Sequence, residues 1–239
     1  MTKLQYVIWG APGSSVESFS RRVLEALVPR LLDHEPVRLK VTFTASEPPR
    51  LAVVPFGRRR VALISLWERE ERVGAVDWHS LMAAPDEELA GYEVTESSPM
   101  LYIKDWPDGE RTPGAGLLTL FRRRPGLDDA ELIRRWHGVH TPHTVRSQPN
   151  WSYVRNKVER PLIEGSPPFD GIVEEHFRTR QDLLDPVRFF GGAWTPERAT
   201  GRRLMRMVPN MVKMGMGVQR FLDMKTLETY LVDEVHVRS

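Results

Sequence analysis

The sequence predicts an α+β protein made of two tandem split-βαβ units packed sheet to sheet. Three observations lead there. Apolar runs of strand period alternate with runs of helical period, the same element order occurs twice, and a Gly- and Pro-rich stretch separates the two occurrences.

The first unit opens with LQYVIWG (Leu4 to Gly10), a short run of β-formers. The loop APGSS and VESFSRRVLEALVPRLL follow, with Val16, Phe19, Val23, Leu27 and Leu31 on one helical stripe. Ser15 is placed to cap this helix, and Asp33 to Pro36 stops it before the alternating run VRLKVTFTA. VALISLWER (Val61 to Arg69) reads as a third strand, and YEVTESSPMLYIKDW closes the unit. The second unit repeats the order: GLLTLFRRRPG (Gly116 to Gly126), AELIRRWHGVHTPH, WSYVRNKV (Trp151 to Val158), GIVEEHFRT (Gly171 to Thr179), and finally FLDMKTLETYLVDEVHVR.

A shift of 113 residues superposes Gly13 on Gly126, Pro12 on Pro125, Arg21 and Arg22 on Arg134 and Arg135, and Pro29 on Pro142. After a three-residue slip, VALISLWER aligns with GIVEEHFRT, Trp67 falling opposite Phe177. Strand, helix, strand, strand, helix, strand is the ferredoxin-like pattern. WPDGERTPGAG (Trp106 to Gly116) is the linker between a unit over 1–110 and a unit over 116–239. A four-stranded antiparallel sheet with helices on one face leaves the other face apolar, so the two copies are expected to bury those faces against each other.

Composition narrows function. The 34 Lys and Arg nearly cancel 32 Asp and Glu, which removes the one-sided field of a nucleic-acid binder. Zero cysteines exclude disulfides, thiolate metal sites and cysteine nucleophiles. No stretch approaches the roughly 20 apolar residues of a membrane span, and MTKLQYVIWG has no run of signal-peptide length, so a cytoplasmic protein is expected. No P-loop, dinucleotide fingerprint or GxSxG elbow is present, and no organic cofactor is predicted.

The second unit resembles the EthD family of the dimeric α/β-barrel superfamily through FRRRPGLDDAELIRRWHGVHTPH (Phe121 to His143), PPFDGIVEEHF (Pro167 to Phe177) and VDEVHV (Val232 to Val237). The first unit matches in pattern alone. The resemblance implies a single-chain ferredoxin-like barrel with a pocket against the sheet and its helices. It also implies, loosely, oxidative degradation chemistry; superfamily relatives include cofactor-free monooxygenases, cyclases, isomerases, dehydratases and heme enzymes, and fold alone does not choose among them.

Three histidines, His137, His140 and His143, lie three apart at the end of the second unit's first helix. Leu132, Trp136 and His140 share one stripe, so His140 points inward while His137 lies on the flank. His143 follows Pro142, where the helix is expected to end, and reads as an exposed turn histidine. The first unit has Leu24, Leu27 and Arg30 at these positions, so His140 occupies an apolar slot and needs a polar partner. The strand alignment offers Glu174, with Ile172, Glu174 and His176 replacing Ala62, Ile64 and Leu66 on one face. His140 and Glu174 are therefore the candidate catalytic acid-base pair. Plain readings stand beside this: a satisfied core pair, a helix-end histidine on the dipole, and an edge position for His176.

Trp136, Tyr153, His137, His176 and Arg122 are the candidate substrate-binding residues. Each has an ordinary structural reading, as core aromatic, flank histidine or solvated strand end. RRLMRMVPNMVKMGMG (Arg202 to Gly217) gathers five of nine methionines and reads as a pocket wall or as core. No metal site is assigned, because joint ligation by His137 and His140 conflicts with their positions on the helix.

These features point to an enzyme acting on a small apolar or aromatic molecule by cofactor-independent oxygenation, or as a lyase, dehydratase or isomerase with the same base. Two other readings are a non-catalytic carrier of a hydrophobic ligand, and a heme or non-heme iron protein using His137, His140 or His176. No nucleic-acid or membrane partner is expected, and homodimerisation stays open.

Overall fold

The protein, described here from a computed structural model covering residues 1–50, 52, 54–191 and 200–239, is a mixed α/β fold around one closed antiparallel barrel. The strands are β1 (Thr2–Trp9), β2 (Arg38–Phe43), β3 (Val61–Glu68), β4 (Glu88–Met100), β5 (Ala115–Phe121), β6 (Asn150–Pro161), β7 (Gly171–Phe177) and β8 (Glu228–Arg238). Their order around the barrel is β1-β3-β2-β8-β5-β7-β6-β4. Residues 2–100 thus supply the arc β4-β1-β3-β2, and residues 115–238 supply β8-β5-β7-β6. The arcs join at two seams, β2 with β8 and β4 with β6. The expected burial of one sheet on the other takes this form because paired edges satisfy the backbone groups an open sheet would expose.

Helices cover the outside of each arc. In the first, α1 (Val16–Arg21), a π-helical turn Arg22–Leu27 and α2 (Val28–Leu32) run continuously. Ser15 caps them, its hydroxyl accepting from Ser18 N at 3.0 Å. Phe19, Val23, Leu27 and Leu31 pack on Leu4, Tyr6, Ile64 and Leu66 in a filled core. A short α3 (Trp78–Met82) follows. In the second arc, α4 (Asp129–Arg135), capped by Asp128, leads through a π-helical turn Trp136–His140 into α5 (Thr141–Ser147). Then come α6 (Arg180–Leu184), α7 (Pro186–Phe190) and α8 (Thr200–Gln219).

Contrary to expectation, the helix does not end at Pro142, and the reason is local. Proline lacks an N–H and crowds the carbonyl four residues back. A π turn, with its five-residue spacing, relieves both problems. Thr141 N donates to Trp136 O just before Pro142, as Val28 N donates to Val23 O just before Pro29. His143 is accordingly half-buried within α5, its ring beside Ser147 Oγ, instead of exposed at a turn.

The register corrects the strand alignment. Leu4 faces Leu66 across β1 and β3, while Leu117, which a shift of 113 places on Leu4, faces Glu175 across β5 and β7. The slip between the arcs is therefore four residues, not three. A one-residue error in a strand moves every side chain to the opposite face. Glu175, not Glu174, takes the place of helix-facing Leu66.

The barrel interior is layered. Val7, Trp9, Leu63, Leu118, Ile172 and Tyr230 belong to an apolar cluster inside it. At the other end, buried Lys40 Nζ bridges Glu174 Oε2 at 2.7 Å and Glu234 Oε2 at 3.0 Å. Lys3 Nζ donates to Asn156 Oδ1 at 2.8 Å and reaches Glu174 Oε1 at 3.4 Å. No helix among the described residues is long and apolar enough to cross a membrane.

Candidate active site

A cavity of about 310 Å³ lies between the outer face of the second arc and its helices. β5, β6 and β7 form its floor through Leu117, Thr119, Phe121, Tyr153, Val173 and Glu175. The π turn and α5 supply Trp136, His140 and Thr144, and Gln148 follows at the end of α5; α7 supplies Phe189 and Phe190. Met211, Met214, Gly215 and Val218 of α8 close it, so the methionine-rich segment is a pocket wall. Thioether side chains adapt to irregular apolar ligands.

Gly171 positions the floor. A Cβ there would lie 2.4 Å from the Phe121 ring and 2.8 Å from the Trp136 indole. Its absence lets the fully buried Trp136 lie edge-on to Phe121, with ring centroids 4.9 Å apart. The glycine of the Phe-Asp-Gly strand entry is thus a packing requirement of the site.

His140 is 8% exposed. Its Nε2 lies 3.2 Å from Thr144 Oγ1, which in turn lies 3.4 Å from Met214 Sδ. A hydroxyl has one proton. If Nε2–H donates to Thr144 and Thr144 donates to the Met214 sulfur, both contacts are satisfied and Nδ1 is left with a free lone pair. Nδ1 has no hydrogen-bond partner among the described residues. Burial, aided by His143, lowers the imidazole pKa to about 4, so His140 is neutral at pH 7.

Glu175 stands between Leu117 and Tyr153 in the sheet and lines the cavity. Burial raises its pKa to about 8 against a weak stabilising contact from Asn150 Nδ2 at 3.5 Å. At neutral pH it is mainly a carboxylic acid, a donor rather than an anion. The cavity thus combines a neutral imidazole with a neutral carboxylic acid inside aromatic walls. The first arc has Leu27 and Leu66 in the corresponding places, inside a packed core.

The expected His140–Glu174 pair is not formed. Glu174 lies across the sheet in the barrel interior, where burial would raise its pKa but Lys40 and Lys3 hold it at about 2. It accepts from Gln5 Nε2 at 3.1 Å and Asn156 Nδ2 at 3.1 Å, and its ionised form closes a charge network. Trp136 and Tyr153 line the cavity, whereas His137, His176 and Arg122 do not. His137 packs its ring on Trp136, with centroids 4.6 Å apart. His176 is buried with Glu174, its Nε2 donating to Pro113 O at 2.9 Å, and so is not an edge residue. Arg122 is exposed at the end of β5. Among the described residues no cluster of three or more His, Asp or Glu side chains could hold a metal ion. Heme ligation through the sole cavity-lining histidine would need Nδ1, and a Cβ on Gly217 would lie only 3.1 Å from that atom, so the space in front of it is narrow.

No protein-family model matches the chain, and no curated protein does. Solved structures do share the fold. An anthrone oxidase-like protein is 10% identical with a TM-score of 0.54, the match covering 99% of this chain and 92% of that one. A provisionally named monooxygenase from Fusobacterium nucleatum subsp. nucleatum is 8% identical with a TM-score of 0.51, covering 99% and 93%. At these identities the shared property is the barrel architecture over nearly the whole chain.

Proposed function

We propose that the protein is an oxygenase-type enzyme that acts on a small apolar or aromatic molecule in the cavity of the second arc, without a resident organic cofactor. One observation carries the reading: His140 and Glu175 replace two leucines of the first arc and line one apolar cavity, His140 neutral and Glu175 held mainly as the uncharged acid at pH 7. His140 Nδ1 accepts a proton from an acidic C–H or O–H of the substrate. Glu175, as a carboxylic acid, donates a hydrogen bond to the oxygen on which negative charge develops; a neutral acid in an apolar site is suited to this role. The resulting electron-rich anion is the species that reacts with oxygen. Tyr153, Trp136 and the α8 methionines hold a flat ring and exclude water.

The names of the two solved structures, together with the EthD resemblance, support oxygenation over other uses of the same pair. We further read 1–110 and 116–239 as a tandem duplication of one ferredoxin-like unit. Its support is the matched strand order of the two arcs and the π turn before Pro29 and Pro142.

Anthrone tests the reaction, with uptake followed at an oxygen electrode. Wild-type protein is expected to consume oxygen, and His140→Ala to lower the rate by about 10²-fold or more, the usual contribution of a positioned base. An undiminished rate in His140→Ala would remove the base assignment. Turnover of a related ketone without oxygen uptake would favour an isomerase or lyase.

A further inference from the structure

The outward side of α8 is apolar, where a helix covering a barrel in water normally carries its charges. Met205, Val208, Val212 and Met216 recur three or four residues apart and are 49% to 72% exposed. On the opposite side Met207, Met214 and Val218 pack into the second arc. Polar groups are confined to one flank, where Arg206, Asn210 and Lys213 follow one another at the same helical spacing. Asn210 Nδ2 donates to Phe190 O at 2.6 Å, and Met214 is buried. These two contacts fix the rotation of the helix, so the stripe of Met and Val faces outward.

The charge beside the stripe has one sign. Thr200–Gln219 carries Arg202, Arg203, Arg206 and Lys213 and no Asp or Glu. Exposed Arg146 of α5 extends the flank: burial, Lys213 and Arg146 together lower the His143 pKa, and both cations lie beside that ring. An apolar stripe bordered by Lys and Arg, on a helix too polar to span a bilayer, is suited to lie in the plane of a bilayer interface. There the apolar side chains reach the acyl boundary and the cationic ones reach the phosphates. A second copy of the chain fits the stripe less well. Pairing two such helices would double the cationic charge at the contact, with no acid on either helix to neutralise it.

The stripe also borders the cavity. Met211 and Met224 are exposed and line it, and Met211 is one turn from Val208. We propose that α8 docks the protein on the surface of an anionic lipid bilayer, with Met205, Val208, Val212 and Met216 at the acyl boundary and Arg206, Lys213 and Arg146 on the lipid phosphates. The mouth of the cavity then opens on the lipid phase, from which an apolar substrate enters. This route rests on the proposed function; the docking does not. Absence of a spanning run, which led to the expectation of no membrane partner, does not bear on an interfacial helix.

Sedimentation of the full chain with vesicles of phosphatidylcholine alone, and of phosphatidylcholine mixed equally with phosphatidylglycerol, tests the docking. Binding to the mixed vesicles is expected to be about tenfold tighter or more, and to weaken with added salt. Lys213→Gln should weaken it about fivefold. Val212→Asp should abolish it, and Val212→Ser, which removes apolar area without adding charge, should give an intermediate loss. Both positions are exposed and outside the cavity, so Tm and naphthalene affinity in buffer, followed by calorimetry, should keep their wild-type values. Failure of the wild type to bind mixed vesicles, or equal binding by Val212→Asp, overturns the docking and leaves the stripe to a protein partner. A wild-type dimer in light scattering that Val212→Asp converts to a monomer, without vesicle binding, overturns it in favour of a second copy. Vesicle binding without naphthalene binding keeps the docking and removes the lipid route along with the cavity assignment.

Discussion

Glu175 and His140 titrate in opposite directions from their free values, and the pH dependence follows from that. The proposed donor is the acid form of Glu175, lost as pH rises through about 8; the proposed acceptor is neutral His140, lost as pH falls through about 4. Activity should be bell-shaped with those two limbs, and Glu175→Gln, which keeps a donor without titrating, should abolish the alkaline limb while keeping the rate within about tenfold. Stability moves as well. Between the free carboxyl pKa and about 8 the folded chain holds a proton that the unfolded chain has released, so stability falls as pH rises through that window. Melting temperatures from pH 5 to 8 should fall less steeply in Glu175→Gln, and an unchanged slope would count against a buried neutral carboxyl. His140 was legible from the sequence because Leu27 stands in its place. Glu175 was not: adjacent acids on a strand face opposite ways, and only the cross-strand register tells which one meets the helices.

At the scale of elements, the strands, first helices and linker were legible from period and breakers, whereas continuation of the helix through Pro142 was not. A proline normally reads as a stop, and the π turn that admits it is set by the backbone shift of Thr141 onto Trp136 O. The three-residue slip puts Trp67 opposite Phe177, yet Trp67 lies under Lys3 Nζ at 4.5 Å and Phe177 packs with Phe189 on the helix side. The two rings lie on opposite faces because the hydrogen-bonded register differs from that slip by one residue. The floor of the cavity depends in the same way on one missing side chain. Gly171→Ala should displace Phe121 or Trp136 and cost about 1 to 3 kcal/mol, the usual range for an overpacked core. Urea denaturation would measure this, and naphthalene binding should weaken with it. A neutral result would mean that Trp136 is not held by this contact.

For the whole molecule, the question is what makes two arcs one barrel. Each arc alone has two open edges, β2 and β4 in the first, β8 and β6 in the second, and open edges invite uncontrolled pairing. The charges inside add a second constraint. Lys3 and Lys40 come from the first arc, while Glu174, Glu234 and Asn156 come from the second, so the buried network is satisfied only across the seams. A fragment over 1–110 would carry two buried-type lysines, with Glu96 alone left as an ionic partner, and a fragment over 116–239 two glutamates without their lysines. Removing one member of such a pair costs about 3 to 5 kcal/mol. Each fragment expressed alone should therefore aggregate, and co-expression should yield a 1:1 complex with the native strand content by circular dichroism. In the intact chain Lys40→Met should destabilise by a similar 3 to 5 kcal/mol, and adding Glu174→Gln should recover part of that loss. A stable monomeric fragment over 1–110 would show that the charge layer and the seams are not what holds the barrel closed.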